Sequence, residues 1–411
     1  MPDVSVLSVR LYGEEVGTIT YVGNEKTLFA FNDAYIENSE RPTLGLQFKD
    51  SLGDLITDFR PYKIKLMAYF SNLLPEGHLR RYLAEKADIH IDREFFLLWV
   101  LGQDLPGAIT VVPADGEEWP DEAHNVLEGE AAKEAAEDAM RFSLAGVQLK
   151  FSAVQSASGG LTIPTSGVGG NRIVKLPSRE FANVPENEFS MMSLARMVGI
   201  NVPAIGLIDV RSIGNLPDGI EKIGQQAFVI ERFDRNEDGS ITHIEDFAQV
   251  FNVYPEDKYK KASYRNLISV VASESDQDDV AEFIRRLTFN VLIGNGDMHL
   301  KNWSLIYPDR RNARLAPAYD FVSTIPYIAN DKSALTFSRT KEFTGFTTDE
   351  LAHLSAKANL PKKLVLDTAK ETVALFIERW ETEKANLPMH KDAVETIDTH
   401  LRTLPIVTGK E

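Results

Sequence analysis

The sequence predicts an α+β fold with a small N-terminal α+β unit, a β-rich lobe and a helical C-terminal lobe. Three observations predict it: strand-like apolar segments dominate the first part of the chain, an acidic stretch interrupts them, and helical periodicity dominates the last part. The chain of 411 residues has room for roughly two to three domains at ~150 residues each. We assign residues 1–113 to the N-terminal unit, 114–140 to an acidic linker, 141–235 to the β-rich lobe and 236–411 to the helical lobe.

The N-terminal unit combines short strands with two helical segments. Its predicted strands are Val4–Val9, Gly17–Val22, Leu28–Phe31 and Gly107–Val112, and its predicted helices are Met67–Leu83 and Arg93–Leu101. The linker carries ten acidic residues and one lysine between Ala114 and Ala139, which is the composition of an exposed, solvated helix. This shift in composition marks a boundary between folded units.

The remainder of the chain passes from strands to helices near Arg235. The predicted elements of the β-rich lobe are strands at Phe142–Val154, Ile173–Leu176 and Ala227–Phe233 and a helix from Pro185 to Gly199. Those of the helical lobe are a helix that ends at Gly294, a loop at Gly294–Asn302, a hairpin of Trp303–Ile306 with Arg314–Ala316, and helices at Lys362–Trp380 and Ala393–Thr403.

The composition excludes several kinds of protein. With 44 basic and 61 acidic residues the net charge is −17, which argues against a chain that coats nucleic acid by general electrostatics. The chain has no cysteine, so a disulfide framework, a cysteine zinc site, an iron–sulfur cluster and a thiol nucleophile are excluded. Because Met1–Val4 does not begin a secretory signal and no apolar run approaches the ~20 residues of a membrane span, we expect a cytoplasmic protein without a membrane partner.

The strongest chemical signal is the segment from Gly294 to Asn302, with the sequence GNGDMHLKN. An aspartate in a glycine-flexed loop, Asp297, followed five positions later by Asn302, is the spacing of a phosphotransferase catalytic loop. The carboxylate can accept the proton of an attacking hydroxyl, and the amide oxygen can bind a metal. The alternative is a turn in which both side chains cap backbone groups. Asp320 follows the predicted hairpin, where kinases place the acidic ligand of the Mg²⁺ that bridges the ATP phosphates.

Residues earlier in the chain add further motifs in the order in which they occur in kinases. Lys175 lies in an apolar strand, where a lysine needs an anionic partner such as an ATP phosphate or Glu188 on the next helix. The small-residue segment Ser143–Lys150 lies between predicted strands, and its backbone could approach phosphates there. Glu231–Arg235 ends a predicted strand, at the position where a hinge between two kinase lobes would contact adenine. Taken alone, each has a structural alternative, such as an edge-strand lysine or a surface charge cluster. Their occurrence in one order predicts a two-lobed, ATP-dependent phosphotransferase.

These motifs resemble those of the HipA-like serine/threonine kinases, the toxins of bacterial type II toxin–antitoxin modules. The resemblance extends over nearly the whole chain. It rests on Phe70–Gly77, Leu105–Ala108, Ser143–Lys150, Ile173–Pro177, Asn187–Glu188, Glu231–Arg235, the Asp297 loop and Tyr319–Asp320. It implies a two-lobed, protein-kinase-like fold and the use of ATP and Mg²⁺.

The resemblance also implies a role for each candidate residue. Asp297 would be the catalytic base, Asn302 and Asp320 would hold Mg²⁺, and Lys175 would bind the ATP phosphates. The further residues implied to bind nucleotide are Ala145, Gly146, Val147, Gln148, Leu149 and Lys150 in the phosphate-facing loop, Glu231, Arg232 and Phe233 in the hinge, and His299, Leu300, Lys301 and Tyr319 around the nucleotide. Ser143 matches the serine whose autophosphorylation silences such kinases.

Partners follow from the same resemblance. Family members form a complex with a small HipB-like helix-turn-helix antitoxin, through which operator DNA is mainly contacted, and they phosphorylate a translation component. In the best-studied branch this protein substrate is an aminoacyl-tRNA synthetase, glutamyl-tRNA synthetase. One alternative is a small-molecule kinase, since the Asp297 loop loosely matches that of aminoglycoside phosphotransferases, but the N-terminal unit and Ser143 favour the toxin. The other is a catalytically silent subunit of a DNA-binding antitoxin complex. Four intact candidate residues argue against it: Lys175, Asp297, Asn302 and Asp320.

Overall fold

The computed structural model describes residues 6–76, 80, 90–114, 150–155, 161–162, 170–214, 216 and 222–410. Within these ranges the chain forms an antiparallel sheet with short helices at the N-terminus, a second sheet packed against a long helix, and a helical lobe that contains a third, small sheet. The α+β class predicted from the sequence is therefore confirmed.

The N-terminal unit is a five-stranded antiparallel sheet with short helices. Its strands are β1 (Val6–Leu11), β2 (Glu14–Tyr21), β3 (Lys26–Phe31), β4 (Tyr62–Lys63) and β5 (Ile109–Pro113), in the spatial order β4-β3-β2-β1-β5. Its helices are α1 (Asp33–Glu37), α2 (Ala68–Ser71) and α3 (Glu94–Leu101). Leu7, Val9 and Leu11 of β1 are fully buried, because alternate side chains of a strand point to the same face and that face covers the core.

The helix expected over Met67–Leu83 is interrupted in the residues that the structure describes. Its first turn ends at Ser71, an irregular segment leads on to Glu76, and Arg80 is again helical, while residues 77–79 and 81–83 lie outside the described residues. Pro75 explains why the helix does not continue, because a proline disfavours the helical conformation of the residue before it and donates no backbone hydrogen bond. The start of this irregular segment is anchored by the buried Glu94, whose Oε1 accepts a hydrogen bond from the Ser71 hydroxyl at 2.8 Å.

The β-rich lobe is a six-stranded sheet packed against one long helix. Its elements are β6 (Lys150–Gln155), β7 (Leu161–Thr162), β8 (Arg172–Lys175), α4 (Val184–Met197), β9 (Ile205–Asp209), β10 (Ile213–Gly214) and β11 (Gln226–Glu231), with the strand order β10-β7-β6-β8-β11-β9. Helix α4 starts with Pro185 in its first turn and buries Met191 and Ala195. Strand β9, which the sequence analysis did not predict, pairs antiparallel with β11. Its first four residues are all half-buried, so it lacks the alternation that marks a strand.

A three-stranded sheet lies within the helical lobe. It consists of β12 (His243–Asp246), β13 (Ser304–Tyr307) and β14 (Arg314–Leu315), in that order. The sequence predicts the hairpin of β13 and β14, but it places β12 in a helical region. The reason is that the buried residues of β12, His243 and Glu245, are polar, so no apolar pattern reveals the strand.

The helical lobe contains several helices, one of which leads into the candidate loop. They are α5 (Phe247–Val250), α6 (Tyr264–Glu274), α7 (Gln277–Leu292), α8 (Thr348–Lys357), α9 (Lys362–Glu383), α10 (Lys391–Thr403) and α11 (Pro405–Thr408). Helix α7 is almost wholly buried along one face. Gly294, two residues after its end, has a φ of 62°, a left-handed conformation that glycine adopts without strain. The chain therefore turns sharply there. In the described ranges, none of the helices combines the length and the apolar character needed to cross a membrane.

A cluster of ion pairs joins the N-terminal unit to the end of β11. Arg235 lies 3.0 Å from Asp104 and 2.8 Å from Asp234, and Arg232 lies 2.9 Å from Asp234. Asp234 also accepts a hydrogen bond from the Gly107 backbone at 2.9 Å. Burial raises the pKa of Asp234, but the two arginines outweigh burial, so the pKa is lowered and the carboxylate stays charged. The N-terminal unit is thus fixed next to the junction of the two lobes.

Candidate active site

The candidate residues converge where the β-rich lobe faces the helical lobe. Lys175 comes from the end of β8, Glu188 from α4, Asp297 from the loop after α7 and Asp320 from the segment after β14. Folding brings these distant residues together, since Lys175 and Asp320 touch across 145 sequence positions.

Lys175 lies between two carboxylates. Its Nζ donates a hydrogen bond to Glu188 Oε1 at 2.6 Å and another to Asp320 Oδ1. Burial lowers the pKa of Lys175, but the carboxylates of Asp320 and Glu188 outweigh burial and raise the pKa above its usual value. Burial raises the pKa of Asp320, but the Lys175 ammonium outweighs it and brings that pKa down to about 2. The lysine and the aspartate are therefore both charged at neutral pH.

Asp320 has an unusual backbone conformation, which buried Asn295 supports. Its φ is 59°, in the left-handed region that few residues other than glycine adopt and that clusters at functional sites. The Asn295 side chain donates to the Asp320 carbonyl oxygen at 3.3 Å and accepts from the Asp297 backbone N–H at 2.9 Å. It thus links the two acidic segments. The sequence analysis did not single out Asn295, although its position between two glycines of the loop was the available signal.

Asp297 lies at the open side of the cleft and contacts Tyr259. Its carboxylate is exposed, and its Oδ1 accepts a hydrogen bond from the Tyr259 hydroxyl at 2.5 Å. Desolvation by the surrounding protein and the nearby Asp320 charge raise the pKa of Asp297, and the tyrosine hydrogen bond opposes them only in part. A carboxylate with a raised pKa accepts a proton more readily than an ordinary one. Sequence reasoning missed Tyr259, which reaches Asp297 across 38 positions.

Asn302 closes the loop around Asp297. Its Nδ2 donates a hydrogen bond to the Asp297 carbonyl oxygen at 2.9 Å. The backbone N–H of Asn302 donates to the His299 carbonyl oxygen at 3.0 Å, which forms a short 3₁₀ turn. The Nδ2 bond fixes the amide plane, so Oδ1 is available as a ligand atom.

His299 is a buried, neutral imidazole at the same loop. Burial and the positive charge of Lys258 lower its pKa to about 3, and its ring packs edge-on to the Tyr259 ring at 4.9 Å. Its Nδ1 has no hydrogen-bond partner among the residues that the structure describes. Buried polar atoms are almost always paired, so this nitrogen is a candidate to bind a ligand in the cleft.

The other residues of the predicted nucleotide lining are placed differently. Leu300 is fully buried in the core beneath the loop. Lys301 points to the N-terminal unit, where its Nζ donates to the Asn72 carbonyl oxygen at 2.8 Å and lies 3.4 Å from Glu76. The Tyr319 hydroxyl donates to the Lys301 carbonyl oxygen at 2.9 Å. The Lys301 side chain therefore links the loop to the N-terminal unit.

The three predicted hinge residues follow one another at the end of β11. Glu231 pairs with Arg172 at 2.9 Å, and Arg232 belongs to the ion-pair cluster with Asp104 and Asp234. The Phe233 ring lies tilted against the Tyr319 ring, with 5.8 Å between centroids. This aromatic pair borders the cleft. The Arg232 side chain instead forms ion pairs at the junction with the N-terminal unit.

Part of the predicted phosphate-facing loop lies outside the described residues. This holds for Ser143, Ala145, Gly146, Val147, Gln148 and Leu149. Lys150 is described as the first residue of β6, and it pairs in register with Lys175 of β8. The end of the predicted loop therefore enters the sheet beside Lys175.

The donor atoms at the cleft suit Mg²⁺ held together with a nucleotide. The Asp320 carboxylate and the Asn302 amide are hard oxygen ligands, and Mg²⁺ is commonly bound by one or two carboxylates plus phosphate oxygens. Over the described part of the chain, no group of three or more His, Asp or Glu side chains forms a metal site by itself. Asp320 and Asn302 would therefore need phosphate oxygens or water to complete the ligand set.

Fold and site together define a two-lobed, kinase-like protein. The family model of the HipA N-terminal domain matches residues 7–112, and that of the HipA-like C-terminal domain matches residues 142–380. The chain is 56% identical over 409 residues to "Putative kinase Y4dM" of Sinorhizobium fredii, covering 99% of this chain and 98% of that protein. The chain belongs to the HipA-like family.

A named toxin and a solved complex are also similar to this chain. "Serine/threonine-protein kinase toxin HipA" of Shewanella oneidensis is 27% identical over 296 residues, which cover 64% of each protein. The solved structure of the Shewanella oneidensis toxin–antitoxin complex of HipA, HipB and operator DNA matches with a TM-score of 0.74 at 20% identity, covering 98% of this chain and 96% of that one. This match confirms the predicted kinase-like fold.

Proposed function

We propose that this protein is an ATP- and Mg²⁺-dependent serine/threonine protein kinase that acts as the toxin of a type II toxin–antitoxin system. The observation that carries the proposal is the contact of Lys175 with both Glu188 and Asp320 in the cleft that also holds Asp297. A strand lysine paired with a helix glutamate, next to an aspartate after a hairpin, is the arrangement with which kinases hold the ATP phosphates. Membership of the HipA-like family supports the same activity.

Each candidate side chain in the cleft has a separate role in phosphoryl transfer. Lys175, kept charged by its carboxylate partners, binds the phosphates from the side of the β-rich lobe. Asp297 orients the acceptor hydroxyl and takes its proton. Asp320 and Asn302 hold Mg²⁺, which when bound neutralises charge on the phosphate oxygens. The neutral His299 contacts the nucleotide through its unpaired Nδ1.

The same proposal covers the rest of the nucleotide site. Glu231–Phe233 and Tyr319 line the adenine side, the 299–302 turn lines the phosphate side with its backbone, and Ala145–Lys150 covers the phosphates. Phosphorylation of Ser143 would add about −1.5 to −2 charges next to the triphosphate and repel the nucleotide. We also propose that the N-terminal unit ends at residue 113, the acidic linker at residue 140 and the β-rich lobe at residue 235.

The proposed partner is a HipB-like helix-turn-helix antitoxin that carries most of the contact with operator DNA. The structural relative was solved with HipB and operator DNA, and the net charge of −17 disfavours broad DNA contact by this chain. The proposed substrate is a translation component of the aminoacyl-tRNA synthetase class. We propose that the kinase and this substrate are both cytoplasmic.

A labelling experiment tests this function. The purified chain is incubated with ATP labelled at the γ-phosphate, Mg²⁺ and a whole-cell extract, and the labelled species are identified by mass spectrometry. We expect phosphoserine or phosphothreonine on a single class of protein, a synthetase. Label found only in small molecules would replace the protein kinase with a small-molecule phosphotransferase, and no transfer to any acceptor would refute the proposal.

A further inference from the structure

A charged residue of the N-terminal unit reaches the candidate active site. Glu76 follows the irregular segment after α2, and its carboxylate spans two lysines of the helical lobe. Its Oε2 lies 2.8 Å from Lys258 Nζ, and its Oε1 lies 3.4 Å from Lys301 Nζ. Burial raises the pKa of Glu76, but the two ammonium groups outweigh it and the pKa is lowered, so the carboxylate is charged. None of the roles proposed above uses this contact.

The two lysines belong to the two segments that meet at Asp297. Lys301 lies in the same loop, four positions after the aspartate. Lys258 directly precedes Tyr259, whose hydroxyl donates to Asp297 Oδ1 at 2.5 Å. One carboxylate therefore connects both supports of the candidate base: the loop that carries it and the tyrosine that bonds to it.

Glu76 is anchored on its own side as well. Asn72, four residues earlier, donates to the Val253 carbonyl oxygen at 2.7 Å and accepts from Lys301 Nζ at its own carbonyl oxygen at 2.8 Å. The preceding residue, Ser71, is held by the buried Glu94. The segment from Ser71 to Glu76 is therefore fixed to both units, as a residue that positions others must be.

We propose that Glu76 is a positioning residue for phosphoryl transfer, so that the N-terminal unit completes the active site of the two lobes. The inference rests on the proposed function, because it takes Asp297 as the base. Without the Glu76 charge, Lys258 loses this carboxylate partner and Lys301 keeps Asp246, 3.3 Å away, so the link between the two ammonium groups is lost and their repulsion displaces the segments that carry them. The side chain touches neither nucleotide nor acceptor in this account, and it acts through its two lysines.

Glu76→Gln in the full chain tests the inference, because glutamine keeps the size and removes the charge. Small misplacements near a reacting group cost up to about 10²-fold, so we expect kcat for ATP turnover with Mg²⁺ to fall about tenfold while KM for ATP changes less than about twofold. Glu40→Gln is the matched control, because Glu40 also pairs the N-terminal unit with the helical lobe, through Arg311, but on an exposed surface. It should leave kcat unchanged.

Two further measurements separate positioning from a general loss of structure. Hydrogen exchange at residues 256–261 and 294–302 should accelerate in Glu76→Gln and not in Glu40→Gln. Lys258→Met should lower kcat by a similar factor, and the double variant with Glu76→Gln should be no slower than the slower single one, because both remove the same contact. If Glu76→Gln has the hydrogen-exchange rates and the kcat of the wild type, the positioning role of Glu76 is wrong, but the proposed kinase activity is unaffected. A wild type that transfers no phosphate would refute the kinase, and the exchange result would still decide the positioning.

Discussion

Replacing Lys175 with methionine tests the central ion-pair group most severely. Methionine is unbranched and nearly as long as lysine, but it leaves Glu188 and Asp320 without their shared cation. The side chain of Glu188 is 0% exposed, that of Lys175 11% and that of Asp320 22%. Removing one partner from a buried ion pair costs about 3–5 kcal/mol, since the remaining charge is left uncompensated. For lobes of this size, that loss lowers Tm by roughly 10 °C.

The loss of stability in Lys175→Met should depend on pH in a definite direction. Burial raises the pKa of Glu188 to about 7 even with the lysine in place, and removing the ammonium raises both carboxyl pKa values further. A carboxyl whose pKa is higher in the folded state costs no stability below its unfolded pKa, and its cost grows as pH rises from the unfolded pKa to the folded pKa. The Tm difference from wild type should therefore be largest near pH 8 and shrink towards pH 5.

The assay is thermal unfolding at pH 5, 6.5 and 8, followed by titration with ATP and Mg²⁺. Glu188→Gln is the control, because it keeps an oxygen acceptor for Lys175 and leaves the pair with Asp320 intact, so its Tm should fall less. ATP affinity of Lys175→Met should drop at least about tenfold, the equivalent of one lost charge contact. A Tm loss that is the same at pH 5 and pH 8, or ATP binding equal to wild type, would refute the reasoning.

Three more predictions concern other parts of the chain. Burial raises the pKa of Glu245 to about 8, so its cost to stability grows as pH rises from its ordinary pKa to about 8 and is constant above that. The Tm of Glu245→Gln relative to wild type should therefore rise from pH 5 to pH 8, and an unchanged difference across this range would contradict the prediction. Asp320→Asn, which tolerates the left-handed backbone, should abolish the effect of Mg²⁺ on ATP affinity, and an affinity that still responds to Mg²⁺ would disprove the metal role. Mass spectrometry after incubation with ATP should find phosphate on Ser143 and reduced ATP binding by that form; an unmodified Ser143 would remove the proposed switch.

Local sequence patterns predict the parts of the fold and the site that depend on neighbouring residues. The end of α7 and the loop from Gly294 follow from a periodic apolar stripe and a helix stop, and the structure has both. The sequence predicts Glu188 as one of two anionic partners of Lys175, because a lysine in an apolar strand needs a nearby negative charge, and the structure pairs the two residues. Each of these inferences uses neighbouring residues or a simple rule about burial.

The residues that were missed are defined by tertiary contacts. Tyr259 touches Asp297 across 38 positions, and Glu76 reaches Lys258 across 182. Glu76 lies in the 70–77 segment that carries the resemblance, but the local sequence does not show what Glu76 or Tyr259 contacts, because these contacts come from the packing of segments that are distant in the chain. Strand β12 was missed for a related reason: its buried side chains are polar and are satisfied by distant groups, as when Glu245 accepts a hydrogen bond from the Tyr307 hydroxyl.

The most direct test of the account is phosphoryl transfer by Asp297→Asn. The substitution keeps the shape of the side chain and its ability to accept from Tyr259, so the fold, measured by Tm, and ATP binding should be retained. Loss of a general base costs about 10²–10⁴-fold, and we predict a fall of that size in the transfer of labelled γ-phosphate to a hydroxyl acceptor. Turnover close to that of the wild type would contradict the assignment of the cleft as a kinase active site with Asp297 as its base.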